Sequence, residues 1–321
     1  MARVVPMTGF ELPDWLDLFD PNEGTVIRTP PGSGYGYWAG GHKISYDPVW
    51  NAFALFYRER TPLEQGRGGA CAVAMSDDGI HFEDVWRATR EQLNSSSIEV
   101  GHALRHDDDE WRLYVSYEIA GTTTWRIDVI RASEPAAFVA QERRTVLAPG
   151  DFKLPWIKDP FVRRRSDGGY LLYAAAPANA GVTIDGTRIY AAARDAGVLA
   201  ESDDGLYFPS IEYVFEPSGD DSWQGRRCRL NSVMAWGEGY LAWYDAGRTT
   251  YDDYEEWCGL ATSADGRSFT RVSTDGPWTR SPHGCVRYVD AIHVGDAVFL
   301  YYEYTREDHS HDLRVVRIGL S

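Results

Sequence analysis

The sequence predicts an all-β chain folded as a five-bladed β-propeller with four strands in each blade. Aromatic side chains make up 13% of the 321 residues, with 12 Trp and 19 Tyr. Short β-branched and aromatic runs alternate with Gly/Asp turns, and no long stretch carries the 3.6-residue period of a helix. One apolar strand ending at a tyrosine recurs five times: 54–58, 114–118, 170–174, 241–245 and 299–303. Its tyrosines, Tyr57, Tyr117, Tyr173, Tyr244 and Tyr302, are separated by 60, 56, 71 and 58 residues.

The elements of one unit follow in order. A strand-like run leads into a turn such as Asp167-Gly168-Gly169 or Gly237-Glu238-Gly239, and the tyrosine strand follows. A third strand ends in Ser76-Asp77-Asp78-Gly79, Ser202-Asp203-Asp204-Gly205 or Ser263-Ala264-Asp265-Gly266, with a degenerate copy at Arg131–Glu134. Phe82, Phe208 and Phe269 then mark where a fourth strand begins. Five copies of a four-stranded unit of about 60 residues read as propeller blades, whose radial repetition leaves only short, protected edges. The last copy stops after its third strand, at Ile318, so the segment Thr25–Arg28 is expected to supply the missing strand and latch the ring. A two-sheet sandwich accounts for five matched units less well. No linker suggests a second domain, and residues 1–321 are taken as one.

A hydrophobic content of 43% is ample for a core without disulfide or metal staples. The net charge of −16 argues against a nucleic-acid binder, because a polyphosphate backbone would be repelled. No segment is long and apolar enough to span a bilayer, and the first twenty residues lack the pattern of a secretory signal, so a cytoplasmic protein is expected. Cys71, Cys228, Cys258 and Cys285 form no CxxC pair and are expected as buried thiols. No phosphate loop, dinucleotide fingerprint, serine elbow or metal signature appears, so no cofactor is expected.

In a propeller the first strand of each blade lines the axis, and the second returns to the same rim. Counting fifteen residues back from each repeat tyrosine gives His42, His102, Lys158, Arg229 and Arg287. The residues after the tyrosines are Arg58, Glu118, Ala174, Asp245 and Glu303. A basic inner ring thus faces a partly acidic second row. Two readings stand: a site for an anionic ligand, or interblade ion pairs and hydrogen bonds. A one-residue register error would turn these side chains to the other face.

The segment Trp156-Ile157-Lys158-Asp159-Pro160-Phe161-Val162, followed by the Asp167–Tyr173 turn and strand, resembles the third-blade segment of five-bladed glycoside hydrolases. That superfamily includes arabinanases, β-xylosidases, invertases, levanases and mannoside phosphorylases. The resemblance implies that Asp159 is an active-site carboxylate that tunes the acid or stabilises the oxocarbenium-like transition state. Two departures accompany it. The hydrolases carry an Asp at the corresponding point of blade one, where His42 is counted, and a Glu acid at the start of blade four, where Arg229 is counted. Cleavage needs one carboxylic acid and one carboxylate. Glu99, Glu118, Asp245, Asp290 and Glu303 remain as candidates, and a histidine is an alternative acid. Trp156, Trp38 and Trp236 are candidates for stacking on a sugar.

His309-Ser310-His311-Asp312 is read as a solvated turn rather than a metal cluster, Arg163–Arg165 as a solvated hairpin edge, and Asp252–Glu256 as a surface loop, with a loop over the channel as the alternative. Three functions compete. The first is a glycosidase using Asp159 and a relocated acid. The second is a phosphorolytic or anionic-sugar enzyme held together by the basic ring. The third is a non-catalytic carbohydrate-binding propeller. The expected partner in each is a small carbohydrate or anionic sugar.

Overall fold

The computed structural model describes residues 10–320 except 166, 180, 181, 185, 186, 190–192 and 251–255. Strand β1 (Thr25–Arg28) precedes blade 1, built from β2 (Trp38–Asp47), β3 (Ala52–Arg60), β4 (Gly68–Ser76) and β5 (Glu83–Thr89). Blade 2 holds β6 (Ser95–Arg105), β7 (Trp111–Ile119), β8 (Trp125–Ala132) and β9 (Arg144–Leu147). Blade 3 holds β10 (Lys158–Arg164) and β11 (Tyr170–Asn179), then, after the small hairpin β12 (Val182–Ile184) and β13 (Thr187–Ile189), β14 (Arg194–Ser202) and β15 (Ile211–Phe215). Blade 4 holds β16 (Arg227–Trp236), β17 (Gly239–Gly247), β18 (Trp257–Ser263) and β19 (Phe269–Arg271). Blade 5 runs β20 (Val286–Val294), β21 (Ala297–Thr305) and β22 (His311–Gly319), and β1 pairs antiparallel with β22 as its fourth strand. The ring therefore closes where the sequence placed the latch.

Five hydrophobic clusters fill the five interblade layers. Strand alternation divides each inner hairpin between two of them: Leu172 and Ala174 face blade 2, whereas Leu171 and Tyr173 face blade 4. The turn at the end of the third strand is a joint between blades. Ser76, Ser202 and Ser263 Oγ each accept the glycine N–H of their turn. The carbonyls of Gly79, Gly205 and Gly266 accept hydrogen bonds from Tyr301, Tyr114 and Tyr173 of the preceding blade. All four cysteines are buried and free.

Candidate active site

The inner strands of blades 1, 3 and 5 carry the same two-residue bulge. In β2 it falls between Gly40 and Lys43, in β10 between Lys158 and Phe161, and in β20 between Arg287 and Asp290. The first bulged residue takes a left-handed backbone in each: Gly41 (φ 54°), Asp159 (φ 60°) and Tyr288 (φ 52°). Its N–H, left without a ladder partner, is caught by the second strand of the preceding blade. Gly41 donates to Glu303 Oε1 at 2.6 Å, Asp159 to Ser116 Oγ at 3.0 Å, and Tyr288 to Asp245 Oδ2 at 3.0 Å. A second row of braces lies one step deeper. Ile44 donates to Asp290 Oδ2 at 2.8 Å, Val162 to His102 Nδ1 at 2.9 Å, and Ala291 to Ser232 Oγ at 3.2 Å.

These braces place the predicted residues. Glu303 is buried between Gly41, Arg287 and His311, and the Arg287 charge with the His311 hydrogen bond holds its carboxyl below the usual range despite burial. Asp245 and Asp290 are buried, and desolvation pushes both carboxyls up. His102 accepts from Val162 and places its other ring nitrogen 3.3 Å from the Ile44 carbonyl, so it staples blades 1, 2 and 3. Burial lowers its pKa to about 3, as it does for His42. Both His42 ring nitrogens are buried without a hydrogen-bond partner. Lys43 beside it is buried, its pKa lowered by burial and raised in part by Asp290, Asp245, Asp159 and Glu303.

The fifteen-residue count reaches the rim in three blades only. Lys158, Arg229 and Arg287 pair with Ala175, Asp245 and Glu303 at the heads of β10, β16 and β20. His42 and His102 fall deeper, because the hairpins beyond the bulge are longer in blades 1 and 2: Lys43 pairs with Phe56 and Gly101 with Val115, against Ser232 with Trp243 and Asp290 with Tyr301. Gly40 takes the rim position of blade 1, where a Cβ would come 2.0 Å from the Glu303 side chain. By this register Asp159-Pro160 of blade 3 matches Gly41-His42 of blade 1, so Gly41, not His42, is the blade-one counterpart of Asp159.

At this rim a narrow cleft of about 10 Å³ opens between Arg58, Arg60, Arg67, Glu99, Lys158, Arg229, Glu256, Arg287 and Tyr288. Six of these nine residues are basic and two acidic. Arg229 binds Asp195 (2.7 Å) and Glu256 (3.1 Å), and Arg287 binds Glu303 (2.8 Å) and Glu256 (3.1 Å). Glu256 also binds Arg227 at 2.5 Å and is buried, so the end of the acidic run read as a surface loop belongs to the axis; residues 251–255 lie outside the described residues. Glu99 is bound by Arg58 at 2.5 Å, and surrounding cations hold its carboxyl below the usual range despite burial. A larger crevice of about 730 Å³ lies along β1 and the 75–85 turn, away from every predicted residue. The concentration of charge favours the axial cleft as the site.

Asp159 lies just beneath the cleft. It is 5% exposed, neither carboxylate oxygen has a hydrogen bond among the described residues, and Arg229 Nη1 lies 3.8 Å away. Glu118 shares a strand face with Ser116, the residue that holds the Asp159 backbone. It is half-buried, and burial raises its pKa against the opposing pull of Arg67 and Lys158. Trp156 is half-buried, with Lys158 and Arg229 over its ring at 5.9 and 6.0 Å. Trp38 is buried under Arg60 and Arg287, and Trp236 packs on Trp15. His311 and Asp312, read as a solvated turn, are buried: His311 stacks on Trp38 and faces Glu303, and Asp312 pairs with Arg314. Arg163 and Arg164 bridge to blades 4 and 2 rather than edging a solvated hairpin. Among the described residues, no three His, Cys, Asp or Glu side chains converge as metal ligands.

No protein-family profile matches the chain, and no curated protein matches it. Solved structures match over nearly its whole length. BT0996 in complex with RGII has a TM-score of 0.65 at 12% identity, covering 93% of this protein and 92% of that one. A thermostable family-43 glycoside hydrolase has 0.65 at 14%, covering 92% of each. The fold is that of the five-bladed glycoside hydrolases. The GH43_1 enzyme from Xanthomonas citri complexed with xylotriose agrees, at 0.62 and 14%, covering 92% of this protein and 91% of that one.

Sequence reasoning missed Glu256, Asp195, Arg67, Lys43, Tyr288 and Ser116. None repeats from blade to blade, and periodicity was the signal in use. Only the chance of the acidic run lying over the channel pointed toward Glu256.

Proposed function

We propose that this propeller is a carbohydrate-active enzyme that cleaves a glycosidic bond at the axial cleft, with Asp159 as the carboxylate facing the sugar and Glu118 as the proton donor. The observation that carries this is Asp159 itself. A buried carboxylate with no hydrogen bond to either oxygen is costly, and sugar hydroxyls are donors of the kind that would satisfy it. Its left-handed backbone is a conformation a non-glycine residue keeps when the surrounding structure imposes it, often at functional sites. Glu118 suits the acid role because burial favours its neutral form, while Glu99 nearby stays ionised. Two carboxyls pushed apart in this way are the usual basis for dividing acid and base roles.

A non-catalytic sugar-binding propeller is the second reading. It is favoured by the engagement of Asp245, Asp290 and Glu303 in backbone braces and by Gly41 as the blade-one counterpart of Asp159. Hydrolysis of a panel of aryl and natural glycosides separates the two. Asp159→Asn should melt near wild type and lose about two or more orders of magnitude in turnover. Glu118→Gln should lose turnover on natural glycosides far more than on aryl glycosides whose leaving group needs no proton. Full turnover by Asp159→Asn on the best substrate refutes the assignment. Saturable sugar binding with no turnover on any glycoside favours the second reading.

A further inference from the structure

We infer that the cleft selects an anionic ligand, a sugar carboxylate or a free phosphate oxyanion, and that Lys158 and Arg67 make the selection. This rests on the reading of the cleft as a sugar site and deepens it.

The argument is a local imbalance of charge. Three cations share one firmly ionised carboxylate, Glu99. Arg58 Nη1 lies at 2.5 Å from Oε2, Arg67 Nη2 at 3.5 Å from Oε1, and Lys158 Nζ at 3.8 Å from Oε2. Arg58 takes the close position and also donates to the Ile98 carbonyl. Arg67 makes one bond at the limit of length, and its Nε is buried with no acceptor. Among the described residues the Lys158 ammonium has no hydrogen bond. Its ammonium lies 5.3 and 5.9 Å from the rings of Trp125 and Trp156, and its side chain is 12% exposed.

Such an arrangement is expensive when no anion completes it. Cation–π contact recovers part of the cost for Lys158, but buried cations are normally paired and hydrogen-bonded. Glu118, the other carboxyl close by, makes no ion pair with Arg67 or Lys158 among the described residues, and burial raises its pKa against their pull. A carboxylate or phosphate can accept from Lys158 Nζ and Arg67 Nε together through charge-assisted bonds. The cleft is tight, about 10 Å³, the room of roughly one water, so what it accommodates between these cations is a single oxygen of such a group. In a uronate a carboxylate oxygen would then sit with Lys158.

The test is calorimetric titration of the full chain with free glucuronate and galacturonate, with glucose and galactose, and with inorganic phosphate. Free monosaccharides contain no bond to cleave, so the result is independent of whether the protein is an enzyme. If the anion is part of the sugar, the uronate should bind more tightly than its neutral counterpart by roughly ten- to a hundredfold, the weight of one or two charge-assisted bonds. Lys158→Met, which keeps the apolar stem, should bring the uronate down to the neutral sugar. Lys158→Arg should restore the preference, and Arg67→Gln should weaken it independently, with thermal melts verifying each fold. If phosphate alone binds, is lost in Lys158→Met and tightens the neutral sugar, the anion is a separate ligand. Binding of neither anion, equal binding of uronate and neutral sugar without phosphate binding, or an anion preference that survives Lys158→Met overturns the inference. Neutral-sugar binding alone would overturn it while leaving the proposed function standing.

Discussion

Glu303 separates a brace from a catalyst. Its side chain is 1% exposed and carries three contacts at once. Oε1 accepts the Gly41 N–H at 2.6 Å, and Oε2 lies 2.8 Å from Arg287 Nε and 3.1 Å from His311 Nδ1. Glu303→Gln keeps the shape but can present only one acceptor oxygen. Either the Gly41 N–H or the Arg287 Nε–H then meets an amide N–H₂, and Arg287 loses one of its buried countercharges. Breaking a buried pair from one side costs about 3–5 kcal/mol. For 321 residues this corresponds to a fall in melting temperature of roughly 4–7 °C. The dependence on pH has a definite sign. The Glu303 pKa is depressed in the folded chain, so its stabilisation is present above the unfolded carboxylate value near about 4.3 and is lost as pH falls through the folded value. The gap between wild type and variant should therefore stay constant from neutral pH down to about 5 and narrow below about 4. Thermal melts across this range, read by circular dichroism, measure it. A variant that melts within a degree of wild type while losing activity refutes the brace and returns Glu303 to catalysis.

Acidification should weaken the fold before carboxylates titrate, because His42 and His102 have pKa values lowered to about 3 and His311 to about 4 by burial. Below the unfolded histidine value of about 6.5 the unfolded chain binds the extra protons, so each group removes about 1.4 kcal/mol per pH unit; urea titrations showing no loss between pH 6.5 and 5 would contradict neutral burial. Ser116→Ala strips the acceptor from the buried Asp159 N–H and should cost about 1–3 kcal/mol in urea unfolding, with turnover reduced and substrate affinity less affected. Unchanged stability would show that the bulge holds itself.

The blade pattern was legible because the second strand of each blade is buried on both faces, so its apolar run and tyrosine recur wherever an interblade layer must be filled. The Ser-x-Asp-Gly turns were legible for a related reason. Serine and aspartate cap the turn, glycine supplies its positive φ at Gly79, Gly205 and Gly266, and the carbonyl receives the neighbouring tyrosine. The tyrosines themselves were not equivalent: Tyr173 acts as Tyr301 and Tyr114 do, whereas Tyr244 and Tyr302 bond to the Ser273 and Pro21 carbonyls. A count anchored on them was therefore bound to slip between blades.

The bulges carry the larger lesson. A left-handed residue in a strand is announced by glycine at Gly41, but Asp159 and Tyr288 adopt the same backbone without that signal. What holds them there is the acceptor on the preceding blade, Ser116 or Asp245, more than forty residues away in the chain. That division of labour explains why so few of the predicted carboxylates are available. Asp245 and Glu303 each capture a bulge N–H, and Asp290 captures the N–H of Ile44 in the next inner strand. Blade 3 differs because a neutral serine hydroxyl does this work, so no second carboxylate stands against Asp159 at the bulge. In the same blade the bulged residue is itself a carboxylate, Asp159. Brace and unbraced carboxylate are thus exchanged between neighbouring blades, and Asp159 is left with two oxygens that no group of the described chain satisfies.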